Sequence, residues 1–143
     1  MTANAVPSID DIDYRRWQRI PYSDITQDMH TGFNCWGLMR AFLQDALGKD
    51  VAAIDVDFTN KQQVAAEADR QLGRGCWQAI DHPEPFCAVQ MTHATIAHHV
   101  GVWVPVNGGA VLHTTRTAGS LIQKRSLLPL MGFRITGFYR FTG

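Results

Sequence analysis

The chain has three cysteines and six histidines, the residue types best suited to nucleophilic or metal chemistry, and Cys35 has the position best suited to a nucleophile. It lies in the stretch TGFNCWGLMRAFLQDALG, residues 31–48. Within it Cys35, Leu38, Met39, Phe42, Leu43, Ala46 and Leu47 recur at i, i+3, i+4, i+7, i+8, i+11 and i+12, one apolar stripe of helical period. Asn34 or Thr31 can cap this helix and Gly48 can stop it. A thiol in the first turn meets unpaired backbone N–H groups and the positive end of the helix dipole, which favour the thiolate. The same pattern also fits a small, inert, buried residue, so position alone does not make Cys35 reactive. Two downstream runs add imidazoles: HVGVWV at 99–104 carries His99 and AVLHTT at 110–115 carries His113. The other polar groups point away from metal chemistry. His93, His98 and His99 have no carboxylate or cysteine among them and lack the i, i+4 spacing of zinc helices. Asp24, Asp28 and His30 read as a polar loop over the helix start, and neither metal nor cofactor is expected.

The elements that must position these groups change character halfway along the chain. Before the helix, Ser8 with Asp11 predicts a short helix through Arg19, ended by Pro21. After it, residues 49–58 read as a loop, and Thr59 with Gln62 predicts the cap of a second helix through Leu72 with Val64, Ala65, Ala68 and Leu72 on its apolar face. Gly73, Gly75, Pro83 and Pro85 punctuate the link to a half with strand-like period. There, Val100, Val102, Val104 and Val106 alternate with His99, Gly101, Trp103 and Pro105, so one strand face is aliphatic and the other carries His99, with His98 on the opposite side. Asn107-Gly108 signals a hairpin. A two-residue loop would set Val106 opposite Gly109 and His99 opposite Arg116, three residues past His113. That register does not pair the histidines; twist, a longer loop or a bulge must. Residues 86–91, 121–124 and 134–141 complete about five strands. The fold expected is α+β, with the helix that carries Cys35 packed on a C-terminal antiparallel sheet, in one domain over 1–143.

Composition narrows the function classes. At 143 residues the chain can bury a substantial core without disulfides or metal. The formal net charge is zero, which leaves no basic excess to hold nucleic acid. The charged fraction is 18%, below the roughly 25% of an average soluble protein, so the surface suits a component of a larger assembly. Cys35, Cys76 and Cys87 have no metal spacing, and an odd count argues against a disulfide framework and for synthesis in a reducing compartment. No segment approaches 18 apolar residues, and the start lacks the basic and apolar regions of a signal peptide, so neither a membrane span nor unaided export from the cytoplasm is expected.

A cysteine opening a helix, a histidine opening one strand and a second histidine on the next resemble the NlpC-type family of papain-like cysteine peptidases, which cut bacterial cell-wall peptides. The resemblance covers most of the chain and rests on Cys35-Trp36-Gly37, His99-Val100-Gly101 and His113. Trp36 and the closing Gly137-Phe138-Tyr139-Arg140 look most like the phage-tail branch. The sequence departs from the family pattern where Asn34 replaces the usual Asp and where FCAVQM, residues 86–91, replaces a Gly-Asp-Val strand. The resemblance implies a Cys-His-His site: Cys35 attacks an amide carbonyl, His99 is the general base, and His113 orients the His99 ring. The backbone N–H of Cys35 and the hydroxyl of Tyr22 would face the developing oxyanion. The implied substrate is the peptidoglycan stem peptide, cut between D-glutamate and diaminopimelate, with other tail or assembly proteins as partners in a virion tail. A structural tail-tip protein without activity, or an amidase toxin on the same scaffold, are the rival expectations.

Overall fold

The computed structural model describes residues 11–93 and 96–143, with residues 96–98 as backbone only. Among the described residues two α-helices, α1 (Cys35–Leu47) and α2 (Lys61–Leu72), precede six strands: β1 (Trp77–Ile80), β2 (Ala88–His93), β3 (Ile96–Val104), β4 (Ala110–Thr115), β5 (Gly119–Lys124) and β6 (Phe133–Phe141). The strands form one antiparallel sheet in the order β1-β6-β2-β3-β4-β5, and both helices pack on it, giving the expected α+β class. The sheet has one strand more than expected. The edge strand β1 is four residues, WQAI, paired along β6 from Trp77 opposite Phe141 to Ile80 opposite Phe138, and is too short to show a period of its own.

The helix ends follow their capping chemistry. The Asn34 side chain accepts a hydrogen bond from the Gly37 N–H at 2.8 Å, and Gly48 closes α1 in the left-handed conformation at φ 64°. Asn at position 34 therefore does the capping that the usual Asp would do. The cap of α2 is Asn60, which accepts from the Gln63 N–H, one residue beyond the Thr59 and Gln62 pair predicted. Thr59 instead hydrogen-bonds Asp57. The helix expected through Arg19 is a 3-10 turn, Tyr14–Trp17, capped by Asp13; Ser8 lies outside the described residues. Trp17 packs edge-on to Phe42, which also meets Phe86. These rings join the α1 stripe to the sheet, and burying large aromatics there is the main apolar gain of this half.

The β3–β4 connection decides which residues face which. It spans five residues, 105–109, with Asn107, Gly108 and Gly109 at φ 52°, 84° and 119°, and Gly109 N–H donates to the Val106 carbonyl at 3.0 Å. Val104 therefore lies opposite Ala110 and Val102 opposite Leu112, one residue away from the two-residue hairpin register. Because side chains alternate along a strand, that one residue turns His113 to the same face as His99. Gly101 fills the gap between them. A Cβ at Gly101 would stand 3.1 Å from the His113 Cβ and 2.7 Å from the Leu112 carbonyl oxygen, so only glycine lets β4 approach there.

Candidate active site

His99 lies near the start of β3 and His113 near the end of β4, which in an antiparallel pair is the same end of the sheet. His99 Nε2 is 2.8 Å from His113 Nδ1, with the two rings near perpendicular at 81°. The Phe133 ring packs against both, with centroids 4.6 Å from His99 and 5.1 Å from His113. On its far side His113 Nε2 is 2.7 Å from Gln123 Oε1. The Gln123 amide nitrogen faces Met131 Sδ, a thioether that can only accept, so the amide oxygen is the atom turned to the imidazole. His113 is 0% exposed, and burial holds its pKa down to about 4, against a smaller opposing effect of the Gln123 bond. It is a neutral imidazole at physiological pH.

Cys35 lies at the same end of the sheet as His99. The backbone N–H of Val100, the residue after His99, hydrogen-bonds the Cys35 sulfur, and both Cys35 and His99 line one cleft of about 260 Å³. The expected thiolate is not the resting form. Cys35 is 7% exposed, and burial pushes its thiol up to about 11, with Asp24 adding to the rise and the N–H groups of Val100, Trp36 and Cys35 opposing it. A helix start contributes about 0.3–1 kcal/mol, under one pKa unit, and desolvation outweighs it. The resting sulfur is a thiol. Cys87 is also buried, while Cys76 is exposed, so accessibility alone would make Cys76 the first to be alkylated.

Tyr22 lines the cleft, with its hydroxyl donating to Asp24 Oδ1 at 2.7 Å. Arg116 grips the same carboxylate through two N–H groups at 2.7 and 3.1 Å, and its guanidinium lies 4.7 Å from the centre of the Tyr22 ring. Burial first, then the bond to Asp24, raises the Tyr22 hydroxyl well above the ordinary phenol range. The polar loop expected over the helix start divides. Asp24 belongs to this cluster, whereas the Asp28 carboxylate is spent within its own turn, accepting from the His30 and Thr31 N–H groups and the Thr31 hydroxyl. Among the described residues no three potential ligands converge on a metal position. The side chain of His98, the neighbour of His99, lies outside the described residues.

Sequence reasoning brought Cys35, His99, His113 and Tyr22 to one region, and the structure gathers them around one end of the sheet. It missed Gln123 and Arg116. Gln123 opposes Val111 in the β4–β5 ladder, so it shares the histidine face and sits diagonally from His113. A lone polar residue at an inward strand position was the available signal.

No protein-family model and no curated protein matches the sequence. Among solved structures, the crystal structure of the NlpC/p60 domain of the peptidoglycan hydrolase SagA aligns with a TM-score of 0.53 at 15% identity, over 85% of this chain and 88% of that one. Likeness at that identity speaks for the backbone arrangement, and it agrees with the helix-on-sheet layout described above: the chain has the papain-like α+β fold of an NlpC/p60 domain.

Proposed function

We propose that the protein is a cysteine peptidase that hydrolyses the stem peptide of peptidoglycan at the D-glutamyl to diaminopimelate bond, with Cys35, His99 and His113 as its catalytic set. The observation that carries this reading is the hydrogen-bonded run His99–His113–Gln123 ending at the cleft lined by Cys35. The run has a direction. Because Gln123 Oε1 accepts, the His113 proton is on Nε2, and His113 Nδ1 accepts from His99 Nε2–H. The lone pair of neutral His99 is then on Nδ1, where it takes the Cys35 proton as sulfur attacks the carbonyl carbon. That transfer produces the thiolate only when it is used, which suits a buried thiol with a high resting pKa. His99 Nδ1–H returns the proton to the leaving amine as the C–N bond breaks, leaving a thioester on Cys35. Water, deprotonated by His99, then releases the acid and restores the thiol. The backbone N–H of Cys35 supports the oxyanion; Tyr22 joins it by exchanging its bond to Asp24, which Arg116 continues to hold.

A digest of purified peptidoglycan, with the cleaved bond read by mass spectrometry, tests the reading. Fragments ending at D-glutamate from the wild-type protein and none from Cys35→Ala are expected; no release by the wild type, or equal release by both, overturns it. The setting belongs to the same proposal. The phage-tail likeness of Trp36 and residues 137–140, the near-neutral composition and the exposed Ile25 and Leu130 support synthesis in the cytoplasm and work within a virion tail beside other tail or assembly proteins. Immunogold labelling of particles tests that placement, and a signal confined to the soluble lysate refutes it. A tail protein that keeps the fold without activity is a second reading, favoured by the 7% exposure of Cys35, which limits access to its sulfur. An active-site thiol probe separates the two.

A further inference from the structure

We infer that Met131 is a positioning residue for the proposed reaction and a site of reversible oxidation, because its sulfur fixes the Gln123 amide and, through it, the His113 tautomer. The inference rests on the peptidase reading, in which neutral His99 keeps its lone pair on Nδ1. Gln123 sets that condition. The two orientations of a glutamine amide have nearly the same shape, so its hydrogen-bond partners decide between them. One partner, His113 Nε2, can donate or accept and imposes neither. The other is Met131 Sδ, 2.7 Å from Gln123 Nε2, and a thioether only accepts. The sulfur therefore keeps the NH2 on its own side and turns Oε1 to the imidazole. With the amide reversed, its NH2 would donate to His113 Nε2, His113 Nδ1–H would donate to His99 Nε2, and the His99 proton would sit on Nδ1. His99 could not then take the Cys35 proton.

The sulfur is held in place yet open to oxidants. Met131 ends the 3-10 segment Arg125–Met131 between β5 and β6, which buried Leu128 anchors in the cluster with Val111, Phe133 and Phe138. Met131 itself is 39% exposed and lines the cleft, whereas Met39 and Met91 are 1% and 0% exposed and Met29 is half-buried. Hydrogen peroxide oxidises such a thioether to the sulfoxide. A sulfur lone pair attacks one peroxide oxygen, the S–O bond forms as the O–O bond breaks, and the proton on the transferred oxygen passes to the departing hydroxide, which leaves as water. The sulfur is oxidised by two electrons and the peroxide is reduced. At 2.7 Å the new oxygen has no room between sulfur and amide nitrogen, and a polar sulfoxide at an exposed position turns to water. The amide loses the partner that oriented it. Both orientations then populate, and the share of His99 with its lone pair on Nδ1 falls.

The test reads tautomers and rates in a Cys76→Ser parent protein, which lacks the exposed thiol. Nitrogen NMR of the imidazole rings at pH 7 is expected to show His113 protonated on Nε2 in the parent, and both tautomers after hydrogen peroxide, with the sulfoxide mapped to Met131 by mass spectrometry. The kcat for the stem peptide should fall with the competent share, about twofold at equal populations. It should return with methionine sulfoxide reductase and dithiothreitol, but not with dithiothreitol alone, which would reverse only sulfenic acid or disulfide. Met131→Leu should show the same mixture and loss before peroxide and no further change after it. Met131→Glu restores an acceptor and should keep the single tautomer. A single Nε2–H tautomer in Met131→Leu or in the fully oxidised protein, or mixed tautomers with an unchanged kcat, overturns the inference. If the parent cleaves the stem peptide and neither tautomer nor kcat responds to Met131, the inference falls and the peptidase stands. If the tautomers mix as expected but no form cleaves it, the peptidase reading falls and the hold of the sulfur on His113 stands.

Discussion

The two faces of β3 and β4 carry opposite chemistry. Toward the helices, Val100, Val102, Val104, Ala110 and Leu112 join the α1 stripe in one aliphatic and aromatic core. Away from them, His99 and His113 stand with Val111 against Phe133, Phe138 and Leu128, and His99 Nε2 and both ring nitrogens of His113 are tied into a hydrogen-bonded run. The proposed nucleophile comes from the first face and the imidazoles from the second. They share a cleft only because Cys35 opens its helix at the end of the sheet where β3 begins and β4 ends. On the proposed mechanism one face contributes stability and the other proton transfer, and substitutions should separate the two.

The sharpest separation sets His99→Ala against Val102→Ala. On the proposed mechanism His99→Ala loses the general base, a rate loss of roughly 10²- to 10⁴-fold, with little change in thermal midpoint. Val102 is fully buried, and its truncation leaves a cavity costing roughly 2 kcal/mol, seen as a lower midpoint while the folded protein keeps its turnover. Kinetics and thermal denaturation on the two variants decide. Equal loss of turnover in both would erase the distinction between the faces.

The next effect in size is the pH dependence of stability. His113 has a pKa of about 4 when folded, below its ordinary 6.5, so below pH 6.5 the unfolded chain binds a proton that the native protein excludes. Stability is therefore full above pH 6.5 and falls as pH drops toward 4, by about 3 kcal/mol over the whole window. His113→Asn should remove this contribution. Urea titrations at pH 7 and pH 4.5 measure it, and the same slope in both proteins would mean that another group carries it.

A smaller effect concerns the direction of the run. Gln123→Leu keeps roughly the size of the side chain but has no acceptor for the His113 proton, so the tautomer preference is lost, and roughly a tenfold drop in kcat is expected. Gln123→Glu keeps an acceptor and raises the His113 pKa. Protonated His113 no longer accepts from His99, so the acid limb of the rate profile should move to higher pH. A profile identical to that of the wild type would limit Gln123 to packing.

How far the sequence revealed this arrangement depended on the range of the forces involved. The α1 stripe and its Asn34 cap are local patterns, and both were readable. Strand β1 was not, because four residues at an edge take their conformation from pairing with β6, some sixty residues away. The histidine face was legible from the valine alternation, but bringing His113 to it required a five-residue connection that Asn107-Gly108 alone does not specify. The thiol was misjudged for a similar reason: the helix start is local, whereas the burial that outweighs it comes from the sheet and the loop packed over it. Gln123 acquires its meaning only once β5 is laid beside β4.

The central claim is that His113 acts through His99, and the rates of stem-peptide hydrolysis by His113→Asn and His113→Ala test it most directly. Asn at 113 offers an acceptor oxygen close to where His113 Nδ1 now meets His99 Nε2, so part of the activity should survive. Alanine leaves the His99 ring without that partner, and the loss should be larger, with both variants first shown to be folded by circular dichroism. Wild type above His113→Asn above His113→Ala is the predicted order; a His113→Ala protein as active as the wild type would contradict the account.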